Sequence, residues 1–342
     1  MDTFSAPTTR LGTTDMRLTR VGFGAWAIGG ADWSYGWGPQ DDEESVAAIR
    51  RALQAGVNWI DTAAVYGLGH SEEIVARALE DVPAADRPYV FTKCGLVWNP
   101  SDPDAEPRRI GRGDSIRREV EDSLRRLRVE RIDLYQMHWP PDDGASIEEY
   151  WGTLLELKHE GKIRAAGLSN HSAAQLAAAD ALGHVDSLQP PFSAIDRDFG
   201  AQDREWCLAH ETGVIVYSPM QSGLLTGTFS EERAAALAPG DWRRRSSDFQ
   251  GEALGKNLAL AEALRPIAGD LGTTVPTVAV AWTLAWPGVT AAIVGARRPA
   301  QVDGWTDALR VTLSDEDLDR IASAIEELGV GAGPVRPPKT KE

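Results

Sequence analysis

Eight short runs rich in β-branched and apolar residues alternate along the chain with amphipathic stretches, and this alternation limits the possible folds more than any other feature. The runs lie around Val21 and at Val57–Asp61, Tyr89–Lys93, Ile132–His138, Ile163–Leu168, Val185–Gln189, Gly213–Tyr217 and Thr290–Val294. Most are almost continuously apolar, as strands buried on both faces of a parallel sheet must be. Between them, Asp41–Ala55 places Val46, Ile49 and Leu53 on one helical face and stops at Gly56, a residue suited to the left-handed position after a helix. Ser71–Leu79 opens with Ser71, Glu72 and Glu73, while Ser146–Glu149 and Ser172–Gln175 have capping-box spacing. Ser314–Leu328 reads as a further helix with acidic residues in its first turn. Eight strand–helix units in roughly 300 residues predict an α/β fold, a (β/α)8 TIM barrel with N-terminal hairpin and extra C-terminal helices. Residues 1–328 then form one domain, and the open doubly wound sheet is the runner-up. The longest connection, Tyr217 to Thr290, is expected to hold extra helices and a polar loop carrying Arg243–Arg245. Residues 329–342 are Gly, Pro and charged residues and read as a flexible tail.

Charge and composition remove whole classes of function. Lys and Arg number 35 against 51 Asp and Glu, a net charge of −16, which opposes nucleic acid or an anionic membrane as partner. No window approaches the ~18 consecutive apolar residues of a membrane span. The first residues, Met1–Gly12, lack a basic stretch followed by an apolar one. Two cysteines, Cys94 and Cys207, suit a reducing compartment, so the expected location is cytoplasmic. No obligate protein partner is evident. Nine arginines lie between Arg108 and Arg131, but Glu119, Glu121, Asp122 and Glu130 interleave with them, as on a salt-bridged helix face. His70 and Glu73 form a pair without a third ligand nearby, so no metal site is expected.

The segment Gly22–Phe23–Gly24–Ala25–Trp26–Ala27 matches G-x-G-x-x-A, and Asp42 follows at the distance of a ribose-binding acid. A dinucleotide fold requires a helix to open inside that motif. Here Ile28–Pro39 is punctuated by Gly and Pro throughout, so the expected structure is a first barrel strand and a long aromatic loop.

Polar residues recur at the C-terminal ends of the expected strands, which converge on one mouth in a barrel. They are Asp61, with Tyr66 five residues on, then Lys93, His138, Ser169–Asn170, Gln189 and Tyr217. A lysine in a dry mouth needs a counter-ion, which Asp61 can provide. Lys93 is then expected to lower the Tyr66 pKa, making Tyr66 a general acid toward a carbonyl oxygen. His138 would donate a second hydrogen bond. Cys94, next along the strand from Lys93, should face outward. This chemistry uses no protein nucleophile and draws its hydride from outside the chain. Asn170 and Gln189 suit a nicotinamide carboxamide, the Tyr217 ring offers a stacking face, and the backbone of Ser218–Gly223, which includes Met220, suits a pyrophosphate. Gly295 with Arg297 and Arg298 reads as a phosphate site, and two arginines favour NADPH over NADH. Of 12 tryptophans, Trp26, Trp33, Trp37, Trp98 and Trp139 fall on segments leaving strand ends, which predicts an aromatic mouth. Trp26, Trp33, Trp98 and Trp139 are the candidate substrate contacts.

From Leu11 to about Glu327 the chain resembles the aldo-keto reductase family. Asp61, Tyr66, Lys93 and His138 stand in the motifs of that family's Asp–Tyr–Lys–His tetrad. The segments Gly167–Asn170, Tyr217–Gly227 and Ile293–Val302 resemble its cofactor segments, with Gly295, Arg297 and Gln301 matching adenosine-phosphate contacts. The resemblance is nearest to bacterial stress- and inositol-operon-type members and more distant to potassium-channel β subunits. It implies NADPH/NADP as cofactor and a small-molecule carbonyl substrate. Alternatives are an NADP-dependent polyol or inositol dehydrogenase, and an NADPH-sensing regulatory subunit. Many members carry Glu-Asn on the adenine where this chain has Gly304–Trp305.

Overall fold

A computed structural model describes residues 6–31, 33–200 and 203–339. The strands, in chain order, are β1 (Thr8–Arg10), β2 (Arg17–Thr19), β3 (Val21–Gly24), β4 (Trp59–Asp61), β5 (Tyr89–Cys94), β6 (Leu96–Val97), β7 (Arg108–Arg109), β8 (Ile132–Met137), β9 (Ile163–Ser169), β10 (Ser187–Gln189), β11 (Gly213–Val216) and β12 (Val289–Gly295). The helices are α1 (Asp42–Gln54), α2 (His70–Ala78), α3 (Gly113–Leu127), α4 (Ile147–His159), α5 (Ala173–Asp180), α6 (Asp203–Ala209), α7 (Glu231–Ala235), α8 (Gly251–Asp270), α9 (Val275–Leu284), α10 (Pro299–Asp303) and α11 (Asp315–Leu328). Strands β3, β4, β5, β8, β9, β10, β11 and β12 pair in that order, and β12 returns to pair with β3 through Ala292–Val21 to Gly295–Gly24. Every barrel pair is parallel. Closure through β12 and β3 replaces the open-sheet alternative.

Alternate residues of each strand face opposite sides, and the core divides accordingly. Trp59, Phe91, Leu134, Ala165, Ile215, Ala291 and Ile293 fill the barrel interior, closed from below by Leu11, Met16 and Leu18 of the antiparallel β1–β2 hairpin. Their neighbours Ile60, Val90, Tyr135, Ala166, Leu188, Val216 and Ala292 belong to the outer core beneath the helices. The glycine motif of β3 belongs to this packing. A Cβ on Gly22 would lie 2.1 Å from the Trp59 indole, and one on Gly24 would lie 2.6 Å from Ile293 Cγ2. The glycines make room for large interior side chains, so the motif serves the barrel's packing.

The helix signals are only partly realised. Ser172 forms a complete capping box with Gln175. Ser146 accepts from the Glu149 N–H, but the Glu149 carboxylate turns away to Arg112 and the Gly113 N–H. Helix α2 opens at His70, and its Glu72 is wholly buried against Arg126 at 2.6 Å. Gly56 follows α1 at φ +96° as expected. The small β6–β7 hairpin was not expected, being two residues on each side. Within the stretch expected to be a flexible tail, residues 329–339 are described and several of them make contacts. Buried Arg197 donates to the Val330 carbonyl at 2.9 Å and to the Gly333 carbonyl at 3.5 Å, and Arg336 pairs with Asp315 and Asp319. A guanidinium that is buried must find acceptors, and the backbone of this stretch provides them.

Gly22→Ala is expected to force Trp59 from its place and to cost about 1–3 kcal/mol. A urea-denaturation midpoint unchanged from wild type would refute that packing role.

Candidate active site

The same alternation builds the mouth from strand-end residues. Asp61 Oδ1 lies 2.5 Å from Lys93 Nζ, and both residues are almost fully buried. Lys93 also donates to the Thr62 carbonyl at 2.8 Å and stands 3.5 Å from Tyr66 Oη. Asp61 Oδ2 accepts from the Gln189 amide at 2.8 Å, and that amide also reaches Gln136 Oε1 at 3.3 Å. Burial lowers the Lys93 pKa, while the Asp61 carboxylate holds the ammonium charged.

Tyr66 leads the tight turn after β4. Its ring stacks on Trp26 at 6.2 Å and meets the His138 ring edge-on at 5.6 Å. Desolvation by these walls, and then the Asp61 charge, push the phenol pKa well above its ordinary 10.0. The expectation of a tyrosine acidified by Lys93 is therefore wrong for this resting site. The ammonium is already neutralised by Asp61, and desolvation prevails. Tyr66 stays protonated. Burial, and then the Lys93 charge, hold His138 well below its ordinary 6.5, so the imidazole is neutral at pH 7. Cys94 faces the outer core near Glu119, where burial keeps the thiol well above its usual range.

A cavity of about 640 Å³ opens above this group. Asp61, Tyr66, His138, Ser169, Asn170, Gln189, Tyr217, Ser218, Met220, Gly223, Gly295, Arg297, Arg298 and Gln301 all line it, and Lys93 lies behind Tyr66. Asn170 and Gln189 are less free than expected. Asn170 donates to the His138 carbonyl at 2.9 Å and accepts from the Tyr217 hydroxyl at 2.8 Å. This pins the Tyr217 ring as a flat wall. Ser169 Oγ is held by the Gln189 carbonyl at 2.8 Å. Ser218, Gln221, Ser222 and Gly223 all have positive φ, the kind of backbone that gathers N–H groups into an anion-binding concavity.

Trp26, Trp33, Trp37 and Trp139 line the mouth as expected, but Trp98 does not. Trp98 packs against the cluster of Trp33, Ala63 and Val65, with the Arg126 guanidinium 5.9 Å from its ring. Four further residues that the sequence does not mark line the same cavity. Trp242 stacks on Trp26 at 5.1 Å and meets Trp37 edge-on at 5.8 Å, while Tyr35, Glu106 and Arg109 complete the rim. Trp242 adjoins the Arg243–Arg245 run, so its segment was visible, but no periodicity marks an irregular turn. Trp305 closes the far end beside Gly304 and Gln301, buried to 1% exposure with its indole N–H unpartnered.

Residues 20–326 match the model of the Aldo/keto reductase family, and the chain belongs to that family. It is 36% identical over 327 residues to the NADH-specific methylglyoxal reductase of Escherichia coli (strain K12), covering 93% of this chain and 98% of the relative. It is 34% identical over 338 residues to aldo-keto reductase YhdN of Bacillus subtilis (strain 168), covering 98% and 99%. The solved structure of glycerol dehydrogenase AKR11B4 from Gluconobacter oxydans matches with a TM-score of 0.85 at 37% identity over 99% of each chain. The protein is thus an oxidoreductase of this family, which works with a nicotinamide cofactor and small-molecule substrates. Among the described residues, no helix is long and apolar enough to cross a membrane.

One neighbour of the site titrates with stability. His171 donates from Nδ1 to the Ser169 carbonyl at 2.8 Å, its Nε2 lies 3.1 Å from the Tyr150 hydroxyl, and burial lowers its pKa from 6.5 to about 4. The unfolded chain binds that proton at higher pH than the fold does, so the stability is present above pH 6.5 and lost as pH falls toward 4. The contribution lost between pH 7 and pH 5 is about 2 kcal/mol. His171→Gln is expected to flatten the fall in denaturation midpoint over that range, and an unchanged slope would sink the assignment.

Proposed function

We propose that the protein is an NADPH-dependent aldo-keto reductase that interconverts a carbonyl and an alcohol, with Tyr66 as general acid. The observation that carries this reading is the Tyr66 phenol facing an aromatic cavity, with Lys93, paired to Asp61, 3.5 Å behind it. The donor set fits a nicotinamide nucleotide. Tyr217 presents a flat wall, Ser218–Gly223 an anion-suited backbone, and Arg233, Arg243, Arg297 and Arg298 surround the far end in a chain of charge −16. Such a nucleotide, when bound, supplies the hydride that the carbonyl carbon receives.

The residues of the chain handle the proton and the geometry. Tyr66 gives its hydroxyl proton to the carbonyl oxygen as negative charge develops there. The tyrosinate left behind gains the Lys93 ammonium, whose attraction matters at that moment more than in the resting site. Asp61 keeps Lys93 charged, and Gln189 holds Asp61 in place. Neutral His138 has an N–H for the same oxygen and orients it. Trp26, Trp33, Trp139 and Trp242 exclude water and accept the apolar face of the substrate.

Polyol oxidation with NADP is a second reading, favoured by the 37% identity to a glycerol dehydrogenase. In that direction Tyr66 must start deprotonated, and its raised pKa makes oxidation climb with pH beyond 10.0 while reduction stays level. Initial rates for aldehydes, ketones and polyols with NADPH, NADP and NADH decide between the two.

Tyr66→Phe is expected to lower kcat for aldehyde reduction by about 10²–10⁴-fold, while quenching of tryptophan fluorescence by NADPH persists. Undiminished NADPH oxidation by the variant would remove Tyr66 from the acid role.

A further inference from the structure

Gln136 on β8 is wholly buried and does not line the cavity, yet it belongs to the polar group beneath it. Strand alternation turns it inward, above Leu134 of the barrel interior. It stands level with Lys93 on β5 and Gly167 on β9. A Cβ on Gly167 would fall 3.0 Å from Gln136 Cγ and 2.2 Å from Ser187 Oγ, so the glycine opens the space that the long side chain occupies.

The chemistry of the partners fixes which atom faces which. A carboxylate oxygen accepts and does not donate, so Gln189 meets Asp61 Oδ2 at 2.8 Å with its amide nitrogen. The same nitrogen lies 3.3 Å from Gln136, which therefore turns its Oε1 toward it. Both hydrogens of the Gln189 amide are then engaged. A single hydrogen bond lets an amide swing about it, and a second fixes the plane. What remains of Gln189 is its carbonyl oxygen. That oxygen accepts no hydrogen bond among the described residues, and Gln189 lines the cavity.

This arrangement weakens the fold locally. With Oε1 committed to Gln189, Gln136 Nε2 is buried without a partner. A buried N–H that bonds nothing lowers stability, and an apolar side chain of the same shape escapes that penalty. Methionine is such a side chain, unbranched and able to fill an irregular gap. Packing alone thus gives no reason for a glutamine there.

We propose that Gln136 is a positioning residue, which fixes the plane of the Gln189 amide so that its carbonyl oxygen is aimed at the carboxamide N–H of a nicotinamide. The inference rests on the nicotinamide-nucleotide reading above and adds to it a residue that touches neither cofactor nor substrate. Through Gln189, one oriented amide holds the Asp61–Lys93 pair on one side and the nicotinamide on the other. Gln136 sets that orientation, and the fold is less stable for it.

Gln136→Met removes the acceptor and keeps the length. Its urea-denaturation midpoint is expected at or above that of wild type, because the unpartnered N–H is gone. Quenching of tryptophan fluorescence by NADPH is expected to show binding about three- to tenfold weaker. Calorimetric titration with 2′-phospho-ADP-ribose, the same nucleotide without its nicotinamide, should give an unchanged constant. Gln189→Met should weaken NADPH in the same selective way. The double variant Gln136→Met/Gln189→Met should bind no more weakly than Gln189→Met alone, because Gln136 acts only through Gln189. A lowered midpoint with unchanged NADPH binding makes Gln136 structural and overturns the proposal. Equal weakening of NADPH and 2′-phospho-ADP-ribose overturns it too, and so does an additive double variant. A wild-type protein that binds neither NADPH nor NADH refutes the nicotinamide reading itself, and this inference falls with it.

Discussion

A charged lysine with almost no exposed surface has to be neutralised where it stands, and the upper half of this barrel is arranged around that need. Asp61 meets Lys93 at 2.5 Å, Gln189 holds the other carboxylate oxygen, and Gln136 holds Gln189. These four residues come from β4, β5, β10 and β8, so the polar layer crosses the barrel and none of these four strands can slip without breaking it. Below it, Trp59, Phe91, Leu134 and Ile215 fill the barrel interior. Tyr66 and His138 inherit their protonation states from this dryness. Both are kept neutral, the phenol from above and the imidazole from below their ordinary values.

The cavity has two ends of opposite character. Near Tyr66 it is walled by indoles, three of which interlock: Trp26 stacks on Trp242, and Trp37 meets both edge-on at 5.3 and 5.8 Å. At the other end it is ringed by guanidiniums. The two ends are mechanically joined, because the loop that carries Trp37 is the loop that Arg297 holds. Arg243 reinforces the join, lying 4.5 Å from the Trp37 ring while bound to Asp241.

How much of this could be read from residues depended on periodicity. The strands and their inward polar ends repeat with period two, so Asp61, Lys93, His138, Gln189 and Tyr217 could be placed at one mouth before any coordinates. The closed barrel followed from the count of strand–helix units. What escaped was set by partners far apart in sequence. Trp242 meets Trp26 across more than two hundred residues, and Arg197 seats the stretch after α11 through the carbonyls of Val330 and Gly333. Composition shows glycine and proline there and nothing of the buried guanidinium. The sign of the Tyr66 shift was misread for a related reason. The sequence offers Lys93 and its Asp61 counter-ion, whereas the walls that desolvate the phenol are a three-dimensional fact.

The closure of β12 onto β3 has a consequence for how the chain reaches this state. Strand β3 is finished at Gly24, but one of its two edges stays without a partner until Val289–Gly295 exists. The seam joins the beginning of the chain to its end, and such distant pairings carry a large loop-closure cost. Arg297 and its loop stitch across that seam, as does Arg51 to Asp303. The far end of the cavity is therefore complete only once this seam has closed. A ligand held there binds the finished barrel and not its precursors, so it lends its binding energy to the one junction that nothing local protects.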